Sequence, residues 1–198
     1  MKITKLINPF LIILFAVILR LLPHPPNVAP IAAMALFGGA YINKKNALIV
    51  PLLAMLISDI FLGFHSTIPF VYGSFVLTGI IGLWLRNHKT VQMVILASFS
   101  SSILFFIITN FGVWFVGGLY SKTVNGLVLA YIYALPFFRN TIIGDLLYTG
   151  LFFGPYEIIK VVILNEVKPS TRRYLVKDLN NFLEYSSPAK PDQNEKPT

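Results

Sequence analysis

Apolar stretches recur along this chain at the length of a membrane crossing. From the N-terminus to about residue 164, runs close to the ~20 residues that span a hydrocarbon core follow one another with only short charged or proline-bearing breaks. Lipid leaves no partner for an unpaired backbone group, so segments of this kind fold as helices. Spans are predicted at residues 6–22, 27–43, 46–64, 67–85, 90–117 and 139–164. The stretch 124–138, interrupted by Pro136 and short for a crossing, reads as an interfacial or re-entrant piece ahead of the last span. Its alternative, a seventh span, would place the two termini on opposite sides. The expected fold is an all-α integral membrane protein, a bundle of six transmembrane helices with that segment before the last helix. Domain limits are expected at 1–164 for the transmembrane part, 165–184 for a cytoplasmic amphipathic segment and 185–198 for a disordered tail. The composition agrees, with 56% hydrophobic residues, 12% charged residues and a mean hydropathy of +0.72.

Basic residues orient such a bundle, because loops rich in Lys and Arg stay cytoplasmic. With both termini inside, the inner flanks carry Lys2, Lys5, Lys44, Lys45, Arg86, Lys89, Lys160, Lys168, Arg172, Arg173 and Lys177, while the outer side keeps Arg20, Lys122 and Arg139. Eleven against three favours six spans in the inner (cytoplasmic) membrane, multi-pass, with N- and C-termini cytoplasmic. The net charge of +8 then reports orientation; the basic residues are dispersed among loops, which argues against nucleic acid as a partner. Lys2 and Lys5 ahead of the apolar run 7–19 imitate a signal peptide, but no small-x-small cleavage site follows closely, so an uncleaved first helix is expected. The absence of cysteine excludes disulfides, thiol nucleophiles and cysteine metal sites. Beyond Leu164, VKPSTRRYLVKDLNNFLEY has the pattern of a helix lying on the inner leaflet.

Polar residues inside a bilayer are costly and usually face a cavity or one another. Once orientation is set, they fall at one depth. Arg20 ends the first span, with His24 and Asn27 in the following lip; Asp59 and His65 end the third; Tyr72 starts the fourth; Thr109, Asn110 and Trp114 end the fifth; Arg139, Asn140 and Asp145 start the sixth. The inner half of the fifth span carries Ser98, Ser100, Ser101 and Ser102, whose hydroxyls can bond their own helix or a neighbour. The pattern suggests a polar chamber near the outer face, in which Arg20, Arg139, Asp59 and Asp145 sum to zero charge and either meet a ligand or pair with each other. Phe106, Asn110 and Trp114 share one helix face, as do Thr141 and Asp145. An aromatic wall beside amide and carboxylate groups suits a flat heterocycle; the alternative is an interfacial Trp and an Asn bonded to a neighbouring helix.

The stretch RLLPHPPNVAPIAAMALFGGAYINKK, residues 20–45, forms the lip of that chamber. Its four prolines forbid one continuous helix, Pro30 is tolerable in a first turn, and Asn27 is either a helix N-cap or a ligand contact. Behind it, Ala29, Ala32, Ala33, Ala35, Gly38, Gly39 and Ala40 let the second helix approach its neighbours closely.

Together PHPPNVAPIAAMALFGGAYI, MLISDIFLGFH, TNFGVW and ALPFFRNTIIGDLLYTGLFFG resemble an uncharacterised family of small bacterial membrane proteins described as candidate transporters, over about residues 8–164. That family in turn is similar to the S (substrate-binding) components of energy-coupling factor (ECF) vitamin transporters in size, six spans and an outward-facing site. The resemblance implies a small organic solute of vitamin-like class, held by Asn27, Asp59, His65, Asn110, Trp114, Asn140 and Asp145 under the lip. It also implies an ECF membrane scaffold and two ATPases as partners. The small-x-x-x-small pattern through which S components often dock is missing from the first helix, INPFLIILFAVILR. No Walker A pattern occurs, so energy would come from partners or gradients.

Other classes remain open on the residues alone. His24, His65, Asp59 and Asp145 are the types that would hold a divalent ion, for transport or for intramembrane catalysis. Neither an HExxH pattern nor two histidines on one helix face occurs, and the serines lie far in depth from the histidines. A structural subunit of a membrane complex is the third reading. The expectation is a non-enzymatic solute binder without a cofactor, its candidate residues being Arg20, His24, Asn27, Asp59, His65, Tyr72, Asn110, Trp114, Arg139, Asn140 and Asp145.

Overall fold

The computed structural model of the protein describes residues 9–23 and 25–166. Their regular structure is helical: α1 (Pro9–Leu21), α2 (Ile31–Tyr41), α3 (Ile49–Leu62), α4 (Ile68–Leu85), α5 (Val91–Val116) and α6 (Val124–Glu166). The chain divides into two compact units, Met1–Glu157 and Ile158–Thr198. Of the second, the described part is the end of α6, whose Ile158, Ile159, Val161 and Val162 are exposed. The amphipathic segment and tail expected from the sequence lie outside the described residues, apart from Asn165 and Glu166 at the end of α6.

The first unit is built around α2. Its residues 31–40 are all buried, and α1, α3, α4 and α5 pack on it, α4 most extensively. Small residues make this possible: a Cβ added to Gly82 would lie 2.5 Å from the Leu36 carbonyl oxygen, so the α2 and α4 backbones meet with no side chain between them. The carbonyls that α2 leaves unpaired at its C-terminus are met by Arg86, itself buried, whose guanidinium donates to Gly39 O at 2.8 Å and to Ile42 O. Around this core the surface is apolar, with Leu11, Phe15, Ile60, Phe61, Ile95, Phe115 and Leu147 among the large exposed side chains. On a soluble protein such a surface would aggregate; here it faces lipid.

Among the described residues, three helices are long and apolar enough to cross a membrane: Ile68–Leu85, Val91–Val116 and Val124–Val162. The other three have 13, 11 and 14 residues, or roughly 16–21 Å at ~1.5 Å per residue, less than a ~30 Å hydrocarbon layer. The spans expected over 27–43 and 46–64 thus included lip and turn residues that are not helical, and of the span expected over 6–22 the described residues are helical from Pro9 to Leu21. For α2 this shortness is tolerated because protein encloses it, and irregular backbone at membrane depth is permitted where protein covers it.

The interfacial segment expected before the last helix is not a separate element. Residues 124–138 are the first part of α6, which continues through Pro136 and Pro155. A proline removes one backbone hydrogen bond, and membrane helices absorb that loss through neighbours and local adjustment. Tyr131 Oη donates to the Ile107 carbonyl at 2.7 Å, which binds this first part of α6 to α5.

Candidate functional site

The lip between α1 and α2 is an ordered turn. Val28 N donates to Pro25 O at 3.0 Å, and Asn27 takes a left-handed backbone conformation with φ of 61°, which asparagine tolerates better than most residues. Asn27 is therefore a turn residue; the N-cap position of α2 is Pro30, which provides no side-chain cap. Two residues of α6 hold the lip. Asn140 Nδ2 donates to Pro26 O at 3.2 Å, and Gly144 lies flush with Val28, where a Cβ would come 3.0 Å from Val28 Cα.

Beneath the lip, between α5 and α6, opens a cleft of about 330 Å³. Pro26 and Asn27 line it from the lip; Phe105, Phe106, Thr109, Asn110 and Val113 from α5; Ala134, Phe137 and Thr141 from α6. None of these side chains is ionisable. Their hydrogen-bonding capacity is also biased. Thr109 Oγ1 donates to Phe105 O at 2.7 Å, Asn110 Nδ2 to Phe106 O at 2.7 Å, and Thr141 Oγ1 to Phe137 O at 3.0 Å. Each hydroxyl proton is thus spent on its own helix, leaving oxygen lone pairs, while Asn110 keeps its amide oxygen and one N–H. The cleft offers more acceptors than donors, beside three phenylalanine rings.

The other described residues among those expected do not line this cleft, and three of them form a network of their own. Arg20 (α1) donates from Nη2 to Asp59 Oδ1 (α3) at 2.5 Å and from Nη1 to Ser58 Oγ and to Met55 O, the last at 3.1 Å. Tyr72 (α4) donates to the second carboxylate oxygen, Oδ2, at 2.7 Å. With side-chain exposures of 11% for Arg20 and 4% for Asp59, this is a largely buried ion pair joining three helices. Of the four charges, Arg20 and Asp59 pair with each other.

Asp145 also departs from expectation. It is 4% exposed and accepts from Ser102 Oγ at 2.6 Å, so it belongs with the serines of α5 and not with Asn110 and Trp114. Ser98 and Thr149 join the same cluster, with Thr149 Oγ1 donating to Ser98 Oγ at 3.2 Å. Trp114 is bound to the loop after α5, its Nε1 donating to Ser121 O at 3.0 Å with Lys122 Nζ above its ring at 5.7 Å. His65 is exposed and shares a hydrogen bond with Thr67 Oγ1 at 2.7 Å. Arg139 is exposed. His24 lies outside the described residues. Of the His/Asp set considered from the sequence, Asp59, His65 and Asp145 are described, and among the described residues no group of three or more His, Cys, Asp or Glu stands together.

Sequence reasoning missed Phe105 and Phe137 as walls, although each sits one turn before a polar residue of the cleft. It also missed Ser58, Thr149 and Glu157, which accepts from Tyr41 Oη at 2.5 Å within an aromatic cluster of Phe37, Phe152, Phe153 and Tyr156. An acidic residue amid aromatics near the end of a predicted span was a readable signal there.

A helical bundle with an apolar exterior, buried polar networks and helices of membrane-crossing length defines an integral membrane protein. The chain belongs to DUF6580, a family of unknown function, whose family model matches residues 2–168. Neither a curated protein nor a solved structure matches it.

Proposed function

We propose that this protein binds a small, uncharged organic solute in the cleft under the lip and supports its transport across the inner membrane. The observation that carries this reading is the bias of the cleft: no ionisable group, acceptor lone pairs from Thr109, Asn110 and Thr141, and flat apolar walls from Phe105, Phe106 and Phe137. A charged ligand would lose its hydration there without gaining a counter-charge. A ligand with N–H or O–H donors around a planar or apolar body replaces what it loses. The volume of about 330 Å³ is at the small end of ligand sites.

The cleft is the feature that the likeness to S components of ECF transporters calls for, an outer site capped by the loop between the first two helices. In this reading the lip faces outward and both termini are cytoplasmic, which agrees with the basic residues at the opposite ends of α2 and α4. The protein binds its solute without transforming it, and an ECF-type scaffold with ATPases, or an ion gradient, supplies the energy.

Native mass spectrometry of the protein purified gently from its own membrane tests this. The expected result is a stoichiometric neutral organic ligand, lost from folded Asn110→Leu and Thr141→Val variants. A ligand bearing net charge, or one retained in both variants, overturns the reading.

A further inference from the structure

Two aspartates are buried in the first unit, and their surroundings differ in one respect. Asp59 has its counter-charge in Arg20. Asp145 has none: among the described residues no basic side chain stands within ion-pair distance of it, and its one hydrogen-bond partner is the Ser102 hydroxyl. What surrounds it is oxygen. Ser102 Oγ lies 2.6 Å from Asp145 Oδ2 and 3.2 Å from the Ser98 carbonyl, and Thr149 Oγ1 lies 3.2 Å from Ser98 Oγ. Ser98 and Ser102 are fully buried, and Thr149 is 3% exposed.

The sequence builds this cluster by helical repetition. Ser98 and Ser102 are four residues apart on α5, and Asp145 and Thr149 four apart on α6, so each pair lies on one helix face and the two faces meet. Thr141, one turn before Asp145, lines the cleft.

We propose that Asp145, Ser98, Ser102 and Thr149 form a binding site for a monovalent alkali cation of the sodium type. The donor set is carboxylate, hydroxyl and backbone carbonyl oxygen, which selects hard cations over transition metals. A single carboxylate balances a single positive charge, so a divalent ion would remain half uncompensated in a low-dielectric interior. The hydroxyls now bonded within the cluster need only rotate about their Cβ–Oγ bonds to turn lone pairs toward an ion, at the cost of hydrogen bonds that the ion replaces. An ionisable group at membrane depth without a counter-charge is a functional candidate for this reason. The site stands on its own observation, independent of the cleft; if both are filled, Thr141 and Asp145 put ion and solute one helical turn apart on α6.

The test is the thermal stability of the full chain in micelles, with Na⁺ exchanged for choline at constant pH and ionic strength. The expected result is a saturable rise in Tm with Na⁺ for the native chain. The rise is absent in Asp145→Asn, needs at least tenfold more Na⁺ in Thr149→Val and Ser102→Ala, and is preserved in Asp59→Asn. If Asp145→Asn fails to fold, line broadening of the ²³Na resonance by the native chain, reduced in Ser102→Ala, gives the same reading. A folded native chain whose stability ignores Na⁺, or responds to pH alone, overturns the site; in the second case a proton supplies the balancing charge.

Discussion

Gly39 of α2 and Gly82 of α4 touch backbone to backbone: a Cβ on Gly39 would lie 2.7 Å from Gly82 Cα and 2.5 Å from the Gly79 carbonyl oxygen. Neither backbone can retreat, because α2 is enclosed by four other helices. Gly39→Val is expected to lower stability by about 3 kcal/mol or more, and Gly39→Ala by about 1–3 kcal/mol, as overpacking of a closed core does. Gly73→Ala and Gly150→Ala are the controls. Both glycines are helical with nothing within 4 Å of the added Cβ, so helix propensity favours alanine there by up to ~1 kcal/mol. Tm in micelles across the four variants checks the contrast.

The ion pair of Arg20 and Asp59 supplies a second expectation. Removing one partner of a buried pair leaves the other uncompensated, so Asp59→Leu and Arg20→Met should each cost about 3–5 kcal/mol. The double replacement Arg20→Met with Asp59→Leu should recover most of that loss. Tyr72→Phe deletes one hydrogen bond to Asp59 and should cost about 1–2 kcal/mol. A double-mutant cycle on unfolding free energy measures the coupling. Since none of these residues lines the cleft, the folded Tyr72→Phe variant should keep its solute.

What could be read beforehand divides by the distance over which each feature is specified. The lip was legible because prolines act on their own residues, and the small face of α2 because its packing follows from lacking side chains. Asn110 and Thr141 emerged from helical spacing and do share the cleft. The partner of Asp145 did not emerge: Ser102 is 43 residues away, and depth alone placed Asp145 with Asn110. Pro136 misled for a physical reason, since a proline that would end a helix in water is carried within α6. The charges of Arg20 and Asp59 were visible, but whether they met each other or a ligand depended on how α1 and α3 cross.

The lip should respond to substitutions on α6 outside the lining of the proposed solute cleft. A side chain at Gly144 must displace the backbone of Val28, which would sit 3.0 Å from the new Cβ. Gly144→Leu should therefore weaken solute retention at least tenfold while the chain still folds. Asn27→Gly should leave stability within ~0.5 kcal/mol, because glycine accepts a φ of 61° freely. Asn27→Val should cost about 1–2 kcal/mol, since a β-branched residue does not adopt it. Retention measured by native mass spectrometry beside Tm separates the two effects.

Trp114 provides the sharpest separation between a cleft wall and a loop anchor. Helical spacing puts it on the face of Phe106 and Asn110, yet its indole N–H is committed to Ser121 O at 3.0 Å. Lys122 completes the same corner: its ammonium lies over the indole ring and donates to the carbonyls of Phe115 and Gly117, both at 2.8 Å, and of Trp114. A cation at the C-terminal carbonyls of a helix offsets the macrodipole by ~0.3–1 kcal/mol. Trp114→Phe removes the indole hydrogen bond, and Lys122→Gln removes the charge. Both should speed hydrogen exchange and proteolysis across residues 117–123 while lowering Tm by only a few degrees. Neither should release the proposed solute, which Asn110→Leu is expected to release. Loss of solute in Trp114→Phe with the 117–123 loop still protected would return Trp114 to the cleft and require the wall to extend past Val113.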